Sequence, residues 1–375
     1  MADQGYLGDV AASSCFLNIR RLAVLIFVVT TTFAQPIGLM APLSEALSVK
    51  HIRSDGPTHI YHGIVDSDWI FAGVPHGGYV LSLLLTACIK HQETAKHPDP
   101  IHLTAHFLLP TTVSEFNVEV EVVRVGSRFT NLLVKWIQEA EARVMTHMIF
   151  GILPAFEAPP SDKKYEDIPP SHPLYHSMPL PSHPATLSVM PNVVSNLGFA
   201  KHIQYAPDPV IISRNKSKLA APRGTHGGGL EGGLWLELTG TGIDLALGLI
   251  PVFADFYPRT PGLLARTHGD NVPIRTYPTV MLTIEFKRQL PRPDATGYAR
   301  RTLGLYSRNH FLDHGRHDGY CEIWTAPSGI GEAEEGFVRD ENWKQGMRCI
   351  AVTGQMALIA PMVLRKSRAN QPARL

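Results

Sequence analysis

The chain has 375 residues, of which 34 are basic and 33 acidic, a formal charge of +1. That balance lacks the basic footprint of a dedicated nucleic-acid binder. An apolar fraction of 44% with only 18% charged residues excludes disorder throughout. Cys15, Cys88, Cys321 and Cys349 are widely spaced with no C-x-x-C, so neither a zinc site nor a disulfide framework is indicated and a reducing compartment is the default.

At about 150 residues per domain the length accommodates two domains, or one with extensions. Near the N-terminus Leu22 to Val29 form an apolar run after Arg20 and Arg21, followed by Thr30, Thr31, Thr32, Phe33 and Ala34. This has the form of a signal-peptide core, although its leading region is long. As a membrane span it falls short, because about 20 apolar residues would have to include Gln35, Pro36 and Gly38. Globular patterning starts only after Met40, so residues 1–57 are expected to be an extension, with the functional start near Met40.

His76-Gly77-Gly78-Tyr79 then opens the apolar stretch Val80 to Ile89, which is too long for a typical strand and predicts a buried helix. Three strands are expected at Ile101 to Leu109, Phe116 to Val125 and Asn131 to Gln138, and a fourth at Arg143 to Leu153. In the second of these, Val118, Val120 and Val122 alternate with Glu119 and Glu121. Residues 58–153 therefore read as one α+β unit. The Pro-, Ser- and His-rich stretch from Pro154 to Pro191 sustains neither period, and residues 154–229 are expected to form a linker.

From 230 to 360 the order of elements recurs. A strand is expected at Leu234 to Leu238, then a helix from Asp244 to Tyr257 with Asp244 as its N-cap, a kink at Pro251 and Pro258 as its stop. Strands follow at Thr279 to Arg288, Tyr298 to Ser307, Gly319 to Thr325 and Cys349 to Ala360. Leu103-Thr104-Ala105-His106-Phe107-Leu108-Leu109-Pro110 is echoed by Leu282-Thr283-Ile284-Glu285-Phe286-Lys287-Arg288-Gln289-Leu290-Pro291. Both segments follow a helix, which predicts two copies of one fold in tandem with their sheets joined side by side.

Several segments in this order, Gly73-Val74-Pro75-His76-Gly77-Gly78-Tyr79, His97-Pro98-Asp99-Pro100 leading into Leu103 to Pro110, and the helix and strands of the second half, resemble the acyl-CoA thioesterase II family, the double-hotdog thioesterases that include fungal thioesterase-like proteins. The resemblance spans roughly residues 58–153 and 230–360. It implies an α+β tandem double hotdog, two long central helices each wrapped by an antiparallel sheet, which hydrolyses a fatty acyl-CoA to the free acid and CoA. It also implies a water-activating triad, carried here by Asp255, Thr279 and Gln355, and further association into a homo-oligomer.

Physically, a carboxylate and two neutral polar groups can orient one water toward a thioester carbonyl, with the Asp as general base and no metal, cofactor or covalent intermediate. Each residue alone also has an ordinary structural reading: a solvated helix-end charge, a strand former, a water-facing Gln. His76, Gly77 and Gly78 form a second constellation. Glycines in the first turn of a helix can admit a substrate oxygen to unsatisfied N–H groups as an oxyanion site, or can merely permit close helix packing. The first half has Pro100 where the second has Thr279, and no acid from Tyr79 to Ile89, so one working site per chain is expected.

A non-catalytic acyl-CoA-binding hotdog protein is the rival from another class. A hotdog dehydratase would call for a His and Asp pair on the helix, and the second helix has no His. Gly224 to Gly229 lacks the Lys-Ser/Thr ending of a phosphate loop. His310, His314 and His317 with Asp313 and Asp318 are read as a hairpin loop rather than metal ligands. Asn215-Lys216-Ser217 is a glycosylation sequon, relevant only after secretion. Residues 331–346 form an insertion that puts the setting of Gln355 in question. The basic tail 361–375 ends in Ala373-Arg374-Leu375, a variant of the Ser-Lys-Leu address, so recognition by a peroxisomal import receptor and a peroxisomal location are expected.

Overall fold

The structure is a computed structural model that describes residues 43–71, 73–161, 163–164, 166–190, 198–240, 244–269, 275–338 and 340–361. The apolar run at 22–29, Met40 and the terminal tripeptide 373–375 lie outside the described residues. Among the described residues no helix is long and apolar enough to cross a membrane.

Twelve strands form the main path of one sheet: β1 (Lys50–Asp55), β2 (Thr58–Ile64), β3 (Asp99–Phe107), β4 (Glu115–Val125), β5 (Thr130–Gln138), β6 (Glu141–Gly151), β7 (Ile203–Pro207), β8 (Leu230–Leu238), β9 (Thr279–Phe286), β10 (Thr302–Asn309), β11 (Arg316–Thr325) and β12 (Cys349–Leu358). The helices that matter are α1 (Gly77–Gln92), α2 (Pro209–Ala220), α3 (Ile250–Ala254) and α4 (Thr260–His268). Across the sheet the strands run β1-β2-β4-β5-β6-β3-β9-β12-β11-β10-β8-β7. Each half, read from its outer edge inward, uses its strands in the same order, first, second, fourth, fifth, sixth, third. This is the expected duplication.

The two echoed segments are the central strands and pair with each other. Thr104 faces Thr283, Leu103 faces Ile284 and Ala105 faces Leu282, so a pseudo-twofold axis passes through the Thr104–Thr283 pair and exchanges equivalent residues. Both expected sheets are therefore one continuous antiparallel sheet. Its inner face wraps α1, in which Tyr79, Val80, Leu81, Leu83, Leu84, Leu85, Ala87 and Cys88 are all fully buried. A helix apolar all round has to be covered all round, and the sheet does this together with the helical segments at Leu247–Leu249 and Ile250–Ala254.

The second central helix is shorter than expected. A 3₁₀ turn at Leu247–Leu249 leads into the five-residue α3, and Asp244 lies outside both, exposed and paired with Arg300. Pro251 does not kink a helix; it sits in the first turn of a short one, where its missing N–H costs nothing. Pro258 and Pro261 then confine the chain to a new start at α4.

Other boundaries also move. β1 lies inside the presumed extension 1–57; it is exposed along its whole length, and an edge strand of that kind carries no apolar alternation to read. The presumed linker 154–229 contains β7 and α2. Asp208 caps α2, its carboxylate accepting from the N–H groups of Val210 (2.9 Å) and Ile211 (3.4 Å).

The insertion 331–346 brings Trp343 onto the outer face of the second half, against Trp235, Tyr306, Trp324 and Met347. Those residues alternate with Leu234, Leu236 and Leu305 of the inner core, so β8 and β10 are buried on both faces. β12 pairs with β9 in register through Gln355 opposite Leu282, and the insertion leaves that setting intact. The sequon Asn215 is 3% exposed and clasps Glu231 through its backbone at 2.7 and 3.0 Å, which removes it as a glycan acceptor. Leu312 pairs with His317 and Asp313 with Arg316, with His314 and Gly315 at φ 47° and 75°, a two-residue hairpin turn. Among the described residues no group of three His, Cys, Asp or Glu could hold a metal.

Candidate active site

Asp255 is the residue that ends α3, with φ −107° and ψ 7°, and is 4% exposed. Thr279 opens β9 and Gln355 lies on the neighbouring β12. The structure brings all three together. Gln355 Nε2 donates to Asp255 Oδ1 and to Thr279 Oγ1, both at 2.7 Å, and Thr279 Oγ1 lies 3.3 Å from Asp255 Oδ1 as a donor.

Two further residues complete the cluster. Arg259 Nη2 donates to Asp255 Oδ1 at 2.5 Å and to the Asp255 carbonyl at 3.1 Å, while its Nε donates to Gln355 Oε1 at 3.2 Å. Tyr257 Oη donates to the same Oε1 at 2.9 Å. An arginine N–H can only donate, so the Gln355 amide has one possible orientation, oxygen toward Arg259 and nitrogen toward Asp255. Burial pushes the Tyr257 phenol well above its ordinary range, which keeps it a donor. Neither residue was singled out from the sequence; the available signal was a basic residue four positions after the candidate acid, which has meaning only once the chain turns back at Pro258.

Tyr257 is held in turn by Gly319. A Cβ there would overlap the Tyr257 ring and hydroxyl, so Gly319→Ala is expected to displace the phenol and release Gln355. Overpacking of this kind costs about 1–3 kcal/mol; a lowered urea midpoint measures it, and an unchanged midpoint would contradict the contact.

The glycines at the start of α1 act differently from the oxyanion expectation. Gly78 N–H donates to Asp255 Oδ2 at 3.0 Å, so it is already engaged. A Cβ on Gly78 would overlap Pro251 O and lie 2.9 Å from Val252 Cα, which makes close packing of α1 on α3 the reason for glycine. The helix N-terminus thus faces the carboxylate. Gly77 lines the cavity described below. His76 makes no capping hydrogen bond; its Nε2 lies 3.6 Å from Asp255 Oδ2, and burial lowers its pKa against the opposing pull of Asp255.

His91, His102 and His317 are also shifted down, burial being the largest cause for each. The unfolded chain takes up these protons near the ordinary value of 6.5, before the native protein does. Stability is therefore full above that pH and is lost as pH falls from 6.5 toward the depressed native values. Urea midpoints are expected to fall between pH 7 and pH 5, and His76→Gln is expected to flatten part of that slope.

A cavity of about 610 Å³ opens over Asp255 and Thr279, a volume suited to a small-molecule ligand. Its walls include Phe71, Phe107, Leu108, Leu109, Phe256, Val280 and Leu358, with His76 and Arg259 beside the acid. In the first half the pseudo-twofold places Pro100 at the Thr279 position, and Met148, opposite Leu103 as Gln355 is opposite Leu282, is fully buried. The equivalent site there has neither hydroxyl nor amide.

These features define a double hotdog with, among the described residues, one such polar site, in its second half. Residues 65–151 match the acyl-CoA thioesterase N-terminal domain. Similar solved structures include a protein from Thermobifida fusca assigned as a thioesterase II, 17% identical with a TM-score of 0.60, covering 86% of this chain and 98% of that one. An acyl-CoA thioesterase II from Mycobacterium marinum is 16% identical with a TM-score of 0.54, covering 85% and 98%. A relative from Mycosarcoma maydis, the ustilagic acid biosynthesis cluster protein orf2, is 26% identical over 282 residues, 67% of this chain and 72% of the relative.

Proposed function

We propose that the protein hydrolyses a fatty acyl-CoA thioester to the free fatty acid and CoA, with Asp255 as general base and Thr279 and Gln355 as the groups that orient the attacking water. The observation that carries this reading is the meeting of those three side chains, two of which, Asp255 and Thr279, line a largely apolar cavity. The acyl chain takes the apolar walls. The water gives a proton to the Asp255 carboxylate as its oxygen bonds to the carbonyl carbon; the C–S bond then breaks, and the Asp255 proton passes to the departing CoA sulfur. Burial of the site strengthens each of these polar contacts relative to water.

The test is release of free thiol from acyl-CoAs of increasing chain length. Turnover that rises with chain length and then falls as the cavity is filled supports the reading; binding without turnover makes the protein an acyl-CoA-binding hotdog protein instead. We further propose a peroxisomal location through Ala373-Arg374-Leu375. Two tagged chains that start after residue 40, with and without that tripeptide, decide it: punctate signal that persists without the tripeptide overturns it.

A further inference from the structure

Resting on the hydrolytic reading, we infer that Arg259 is a catalytic residue whose Nη1 group donates to the thioester oxygen as negative charge builds there. A tetrahedral intermediate needs donors aimed at its oxygen. The amide of Gly78, the residue whose position most suggested that role, is spent on Asp255 Oδ2. His76 is buried with a lowered pKa and carries no charge at pH 7. Among the described residues lining the cavity Arg259 is then the one permanent cation.

Its geometry divides the guanidinium into two edges. The Nε and Nη2 groups are bound to Gln355 Oε1, Asp255 Oδ1 and the Asp255 carbonyl. The Nη1 group has no acceptor among the described residues, although the side chain is only 19% exposed and lines the cavity beside the acid. A planar group held by one edge keeps the other in a set direction, so these N–H donors are pre-organised without reorganisation at the moment of reaction. Gly77 also lines the cavity. Arg259 thus has two tasks on its two edges: one orients the water-activating groups, the other meets the substrate.

Calorimetric titration with two unreactive substrate analogues separates these tasks. One is a ketone analogue in which the thioester sulfur is replaced by methylene and the carbonyl kept; the other is a thioether analogue in which the carbonyl is replaced by methylene. For Arg259→Gln, affinity for the ketone analogue is expected to fall at least about tenfold and that for the thioether analogue less than about twofold, while kcat/KM for the thioester falls about 10²- to 10³-fold. Equal losses for both analogues, or none for either, overturn the proposal and leave Arg259 a positioning residue. If Arg259→Gln does not fold, Arg259→Lys decides by the same pair of titrations, since an ammonium drawn to Asp255 has no second edge: loss of ketone affinity alone supports the proposal, and retention of it overturns it. Wild-type protein that binds neither analogue overturns the acyl-CoA reading itself, a result distinct from non-selective binding.

Discussion

Asp255→Asn is expected to lower kcat for acyl-CoA hydrolysis by about 10²- to 10⁴-fold, the usual cost of losing a general base, while acyl-CoA binding is largely retained. The substitution preserves shape but not hydrogen-bond polarity. Oδ1 faces donors from Gln355, Thr279 and Arg259, and Oδ2 faces the Gly78 N–H, so the amide nitrogen of Asn must meet a donor on whichever side it takes. About 1–3 kcal/mol of stability should be lost with it, which thermal melting will show as a modest shift rather than failure to fold. Thr279→Ala and Gln355→Ala each leave the carboxylate in place and should be individually less damaging. Equal activity of Asp255→Asn and wild type would remove Asp255 from the chemistry.

Gly78→Ala should combine a stability loss with an activity loss. The added Cβ would overlap Pro251 O and approach Val252 Cα at 2.9 Å and Asp255 Cβ at 3.0 Å. Two of these three atoms belong to backbone, so no side chain can swing away. Forced overpacking costs about 1–3 kcal/mol, and the displaced element carries the candidate base; a 1 Å shift of such a group can cost about a hundredfold in rate. Gly262→Ala in α4 is the control, because nothing lies within 4 Å of its Cβ; removing a helical glycine there should leave activity alone and change stability by no more than about 1 kcal/mol. Urea midpoints and kcat measured on both variants test the contrast. Equal behaviour of the two would mean that α1 and α3 do not press together at Gly78.

Much of the architecture was legible because the duplicated half carries strong periodic signals. The alternation through Val118 and Val120, the apolar run from Val80, and the echo of Leu103 to Pro110 in Leu282 to Pro291 each report a face that must be buried, whatever it is buried against. β1 escaped notice because an exposed edge strand leaves no such signal, and α2 because its mixed surface sits in a Pro-rich neighbourhood. The helix expected from Asp244 to Tyr257 is longer than the observed Ile250–Ala254 because an apolar stretch does not by itself say where a helix begins, and Pro251 fits only a first turn.

The same division runs through the site. By itself the sequence determined the tandem α+β repeat with joined sheets and, through the family resemblance, the hotdog fold, Asp255, Thr279 and Gln355 as candidates, and the lack of their counterparts in the first half. Only the tertiary structure decided that Gly78 donates to Asp255 rather than standing open to a substrate oxygen, and that Tyr257 and Arg259 hold the Gln355 amide in one orientation. Gly78 and Asp255 lie 177 residues apart, and Tyr257 and Gln355 98. Local pattern records which face of an element is buried; the hydrogen-bond partner that a polar group finds is set by the close approach of distant backbone, which leaves no periodic trace in either segment.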